Sequence, residues 1–130
     1  MVLSTAHRIL FNALLVVLLS GVLSACTKEK DTTAQITVKR QDGTTVAGAT
    51  VRLFANPSFP LGDPSRLNKE KVTNGSGQAE FDYTEFYEQG QSGFAVLDIL
   101  CTVDTLVAEG IIKIVEEEIN YETVVLMPVQ

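Results

Sequence analysis

The stretch A-Q-I-T-V-K-R-Q-D-G-T-T-V-A-G-A-T-V-R-L-F, residues 34–54, decides the fold. Ile36 and Val38 alternate with Thr37 and Lys39, the period of two of a strand with one buried face. Asp42-Gly43 predicts a tight turn, because glycine takes positive φ without steric cost and aspartate accepts hydrogen bonds from its own backbone. Gly48 lets the chain swing into a second strand, where Ala49, Val51 and Leu53 point one way and Thr50 and Arg52 the other. Both strands are short and rich in β-branched residues, so propensity and pattern agree.

Beyond residue 54 the pattern breaks. Residues 56–71 contain Pro57, Pro60 and Pro64, each of which removes a backbone donor and disfavours helix before it, so the segment reads as a long irregular loop. Phe59 and Leu61 are expected to tuck against the sandwich edge, with an exposed binding tip as the alternative. Residues 69–73 and 78–83 flank the turn 74–77 and read as a hairpin, with Ala79, Phe81 and Tyr83 on one face. Residues 84–93 read as a single helical turn or loop, with Thr84 available as a cap and Gly90 and Gly93 preventing extension. F-A-V-L-D-I-L-C-T, residues 94–102, is apolar on both faces and predicts a central, fully covered strand. Residues 106–115 follow, with Gly110 as a bulge or a point of close approach. Glu116, Glu117 and Glu118 mark a solvated turn, and residues 121–127 form a last strand closed by Pro128. About seven strands with turns every 8–12 residues predict a single all-β domain, an antiparallel β-sandwich.

The run V-K-x-x-D-G-x-x-V-A-G-A-T-V-x-L, residues 38–53, resembles the opening of transthyretin-like β-sandwich modules. These include the carboxypeptidase regulatory-like domains and the collagen-adhesin B-type repeats. T-N-G-S-G at 73–77 and Q-A-E-F-D-Y at 78–83 match the polar turn and aromatic-ended strand with which such modules continue. The resemblance covers residues 34–128 and implies an Ig-like, transthyretin-like sandwich. It also implies a noncatalytic role, that of the regulatory-like domains. Some adhesin repeats join a core lysine to an asparagine. Lys39 and Asn120 match that topology, but Lys39 falls on the outward phase, so no crosslink is expected.

Residues 1–25 read as a targeting segment. His7 and Arg8 precede the apolar run 9–19, which at eleven positions is short of the roughly 20 residues of a membrane span. The segment ends L-S-A-C, residues 23–26, and this resembles the lipobox of bacterial lipoproteins. The resemblance implies cleavage between Ala25 and Cys26 and acylation of Cys26. Each buried methylene contributes ~0.8 kcal/mol, and two or three chains anchor stably where one does not. Residues 26–33 are a polar tether and 34–130 the sandwich. The tether loosely resembles the export tags of Bacteroidetes surface lipoproteins, leaving the cell surface and the periplasmic face of the outer membrane both open.

Cleavage would leave nine Lys and Arg against sixteen Asp and Glu, a formal charge of −7. That balance excludes an electrostatic footprint for nucleic acid and opposes attraction to anionic lipid, so acyl chains must hold the protein at a membrane. The only histidine, His7, is in the segment removed, and with it go the commonest general base and the commonest transition-metal ligand. Cys101 is the only other cysteine and reads as a small buried hydrophobe. Neither a Ser-His-Asp site nor a zinc site can be built, and no cofactor is expected. The chain has no tryptophan, which disfavours sugar stacking; Tyr83, Phe86 and Tyr87 form an aromatic cluster whose expected job is core and sub-core packing.

The reading is a lipid-anchored cell-envelope protein with a noncatalytic binding or structural module, accessory or adhesive in role, with a protein partner in the envelope. The alternative is a small-molecule or glycan binder using the 56–71 loop with Phe59, Leu61, Phe86 and Tyr87. A hydrolase would need two inward carboxylates. An exposed strand edge at Gln35 would favour strand addition by a partner.

Overall fold

The structure, a computed structural model, describes residues 2–23, 30–55, 67–88 and 93–130. Two β-sheets enclose one core, in the order α1 (Val2–Leu23), β1 (Thr33–Lys39), β2 (Thr50–Phe54), β3 (Lys69–Val72), β4 (Gln78–Asp82), α2 (Thr84–Glu88), β5 (Phe94–Val103), β6 (Leu106–Val115), β7 (Ile119–Val125) and β8 (Met127–Pro128). The smaller sheet runs β4-β1-β7 and the larger β3-β2-β5-β6-β8.

The corner at residues 40–49 does not fold β1 back onto β2; it carries the chain from one sheet to the other. Arg40 N–H donates to Thr44 O (2.8 Å) and Gly43 N–H to Arg40 O (2.9 Å), closing the turn around Gly43 at φ +87°. Asp42 Oδ1 accepts from both Thr44 N–H and Thr44 Oγ1, which holds its carboxyl below the usual range. Val46 and Ala49 are buried where the chain crosses.

The expected hairpin of residues 69–83 is corrected in the same way. β3 pairs antiparallel with β2 and β4 antiparallel with β1, so the turn 74–77 also bridges the two sheets. Thr73 joins the two corners. Its buried hydroxyl accepts from Ala49 N–H (2.9 Å) and donates to Val46 O (2.7 Å), while its N–H donates to Ala49 O. Local turn chemistry specifies the reversal; these bonds decide which strand each arm joins.

The sandwich is not wholly antiparallel, because β1 and β7 pair in parallel from Thr33↔Ile119 to Lys39↔Val125. β6 runs opposite to β5 and hands the chain across to β7, which therefore points the same way as β1. The expected strand 121–127 splits at Leu126, which is buried and donates its N–H to Lys39 O (2.8 Å). The chain then slides without reversing into β8 at the edge of the larger sheet, where Pro128 is tolerated.

Core positions follow the two-residue period. Ile36 and Val38 from β1 and Phe81 from β4 meet Val51, Leu53, Leu97, Ile99 and Ile112 from the larger sheet. Each large buried side chain contributes ~1.5–3 kcal/mol relative to exposure. Gly110 is a point of close approach: a Cβ there would lie 3.0 Å from Val124 Cγ1 of the facing sheet. β5 is central in its sheet, as expected, but it is covered on one face only. Leu97, Ile99 and Cys101 are buried, whereas Phe94 and Val96 on the opposite phase are exposed.

No described side chain of α1 takes part in the core. Every described side chain from Thr5 to Val17 is exposed. Among the described residues no helix is long and apolar enough to cross a membrane.

Candidate functional site

Ala25, Cys26, Phe59 and Leu61, with most of the 56–71 loop, lie outside the described residues. The remaining aromatic candidates lie at the end of the sandwich built by α2. Phe86 is half-buried and meets Tyr87 edge-on at 5.1 Å. Tyr87 is buried, and its hydroxyl donates to Ile114 O (3.1 Å). Tyr83 is buried too, with its hydroxyl on Leu67 O (2.9 Å), and burial pushes both phenols up. Tyr83 and Tyr87 are thus core residues whose polar tips are satisfied by backbone, not a stacking platform.

The same end holds a polar network. Asp82 Oδ1 caps α2 by accepting from Thr84 N–H (2.9 Å) and Thr84 Oγ1 (2.6 Å), bonds that hold the Asp82 carboxyl below its usual range. The cap is Asp82 and not Thr84, whose hydroxyl accepts instead from Thr32 N–H (3.0 Å). Thr32 Oγ1 accepts from Glu117 N–H (2.8 Å) at the β6–β7 turn, where Glu117 takes φ +59°. Asn120 completes it: Nδ2 reaches Thr33 O (3.1 Å), Val115 O (3.1 Å) and Glu118 O (3.2 Å), and Oδ1 accepts from Val115 N–H (3.0 Å).

Asn120 is therefore the clasp that fixes the start of β1 to the β6–β7 turn. Asn120→Ala is expected to cost about 1–3 kcal/mol by leaving buried backbone groups unpaired. A fall in the urea midpoint at unchanged slope checks this, and an unchanged midpoint would remove the clasp role. The lysine–asparagine crosslink has no geometry here. Asn120 stands opposite Ala34, while Lys39 stands opposite Val125. Those five positions along β1 separate the two by roughly 16 Å.

Two further expectations are corrected or completed. Gln35 is not on an edge, because β1 is hydrogen-bonded on both sides, by β4 and by β7. Strand addition there is closed. Cys101 lies between its pairing partners Val51 and Ala108, fully buried, and burial pushes its thiol up to about 11. It has the setting of an inert thiol.

The outward face of the larger sheet is what the alternating pattern hid. Three rows cross β2, β5 and β6: Thr50–Thr102–Val107, Arg52–Leu100–Glu109 and Phe54–Asp98–Ile111. Val96–Lys113 and Phe94–Val115 extend it along β5 and β6. Phe54, Asp98, Leu100, Glu109 and Ile111 line a shallow depression of about 520 Å³. The Arg52 guanidinium sits 4.9 Å from the Phe54 ring centroid, and Lys113 Nζ 4.2 Å from that of Phe94. Among the described residues no three of His, Cys, Asp and Glu converge as metal ligands.

No protein-family model matches the chain, and no curated protein matches it. Among solved structures it is similar to catechol 1,2-dioxygenase from Pseudomonas arvilla C-1, with a TM-score of 0.52 at 14% identity, over 81% of this chain and 54% of that one. It is also similar to catechol 1,2-dioxygenase from Acinetobacter sp. ADP1 inhibited by bound mercury, with a TM-score of 0.49 at 9% identity, over 80% of this chain and 54% of that one. The chain thus spans about half the length of the solved structures it matches. At such identity the first likeness shows a β-sandwich fold and nothing of activity.

Proposed function

We propose that the chain is a lipid-anchored cell-envelope protein of the outer membrane whose sandwich is a noncatalytic binding or structural module, accessory or adhesive in role. The observation that carries the reading is L-S-A-C at residues 23–26, three residues after an apolar run and before a polar tether. The exposed apolar side chains of α1 support it, since the sandwich closes its core without them. A chain from residue 26 onward without histidine, and with a buried thiol at Cys101, supports the noncatalytic half. With a charge of −7 repelled by anionic lipid, acyl chains supply the attachment.

The test is expression in a bacterial host fed an alkyne-tagged palmitate. Wild type is expected to carry the label and to fractionate with the outer membrane. Cys26→Ala is expected to lose the label completely and to accumulate as uncut precursor. A Cys26→Ala protein processed to the normal mature size would overturn the lipoprotein reading.

A further inference from the structure

The two outward faces of the sandwich differ in kind. On the smaller sheet β1 and β4 present Gln35, Thr37, Lys39, Gln78, Glu80 and Asp82, and only the edge strand β7 is apolar. The larger sheet presents an apolar surface across its width, with Val72, Phe94, Val96, Ile111 and Met127 each more than half exposed. Exposed large apolar side chains gathered on one sheet face and interspersed with charges in this way point to an interface.

The charges on that face indicate what covers it. Two cations, Arg52 and Lys113, are interleaved with three carboxylates, Asp98, Glu109 and, on β3 opposite Arg52, Glu70. The face thus carries nearly balanced charge, two positive groups against three negative, although residues 26–130 carry −7. It is also self-complementary about an axis along β5. In the row Arg52–Leu100–Glu109, β5 supplies the centre, so a two-fold rotation about β5 sets Arg52 against Glu109 of a second copy and Leu100 against its own copy. In the next row the same operation sets Phe54 against Ile111. Asp98 meets its own copy, and in each chain Lys113 on the neighbouring strand lies diagonally beside it to offset the repulsion.

From this pattern we infer that the outward face of the larger sheet is an isologous dimer interface, packing face to face with a second copy of this chain. Five strands span roughly 20 Å and the paired rows roughly 25 Å, giving on the order of 1,000 Å² buried over both copies, the size at which specific interfaces begin. The depression at Phe54, Leu100 and Ile111 receives the partner's apolar side chains, and the Arg52–Glu109 pairs set the register. The inference is independent of the lipid anchor.

The test uses the full chain extracted in detergent and measured by sedimentation equilibrium. Wild type is expected to be dimeric and Ile111→Asp monomeric, with circular dichroism unchanged since Ile111 is on the surface. Arg52→Glu is expected to weaken the dimer about tenfold, and adding Glu109→Arg to restore it. With Leu100→Cys, a short bis-maleimide is expected to join two chains across sheets packed about 10 Å apart. Thr37→Cys on the other face is expected not to react in this way. A monomeric wild type, a dimer indifferent to Ile111→Asp, or a charge reversal that the second substitution does not rescue would each overturn the interface. So would occupation of the face by a different protein with the chain itself monomeric.

Discussion

Phe81→Ala is expected to lower the unfolding free energy by about 3–5 kcal/mol, the cost of removing a large aromatic from a site that cannot collapse around the loss. Phe81 is fully buried on β4, opposite Ala34 of β1, and faces the larger sheet across the core. Its strand neighbour, the small Ala34, cannot reach into the space left behind. Domains of this size are stable by roughly 5–15 kcal/mol, so the substitution removes a large share of the total. The check is urea unfolding followed by far-ultraviolet circular dichroism, where the midpoint should fall with little change in slope. A loss below about 1 kcal/mol would mean that the core relaxes into the cavity and that Phe81 is not the keystone of the two layers.

Gly77→Ala is the second large effect, and it acts through the backbone. Gly77 has φ +73°, and a Cβ there would lie 2.7 Å from Thr45 Cβ and 2.8 Å from Val46 N. The left-handed conformation costs an L-residue ~1–2 kcal/mol, and forcing apart the two corners adds ~1–3 kcal/mol. Gly77 O also accepts from Val38 N–H (2.9 Å), so a shift loosens β1 as well. Two nearby glycines separate the causes. At Gly43 a Cβ meets nothing within 4 Å but φ is +87°, so Gly43→Ala should show the conformational cost alone. At Gly75 a Cβ also meets nothing and φ is not in the left-handed region, so Gly75→Ala should stay within about 0.5 kcal/mol of wild type. If Gly77→Ala costs no more than Gly43→Ala, the close packing of the two corners is not what requires glycine at 77.

These two sites mark how far the sequence could be read. The alternation at Ile36, Val38, Val51, Leu53, Ala79 and Phe81 was legible because side chains on a strand change face every residue. Asp42-Gly43 and the turn 74–77 were legible because their residue types are the ones turns require. The partners were not. Asp42-Gly43 read as a corner and 74–77 as the tip of a hairpin; both close locally, yet each stands in a connection between sheets, and the bonds of Thr73 to Val46 and Ala49 that settle this join residues 27 and 24 positions apart. The parallel pairing of β1 with β7 was hidden for the same reason, since a strand's direction relative to another depends on every crossing between them.

The candidate surfaces divide along the same line. Phe94–Thr102 is apolar on both phases, a pattern that reads as a doubly covered strand but equally describes one whose outward phase is left bare. Tyr87 was legible as an aromatic suited to core packing, but its hydrogen-bond partner was not, because only the fold brings Ile114 O to its hydroxyl. The sequence by itself determined the turns, the alternation of most strands, the likeness of residues 23–26 to a lipobox and the lack of histidine after them, because each is a property of neighbouring residues. The tertiary structure decided which strands pair, that Asn120 clasps the start of β1, and that Arg52, Leu100 and Glu109 share one row on an open face. Those are contacts between residues distant in the chain, and no local pattern encodes them.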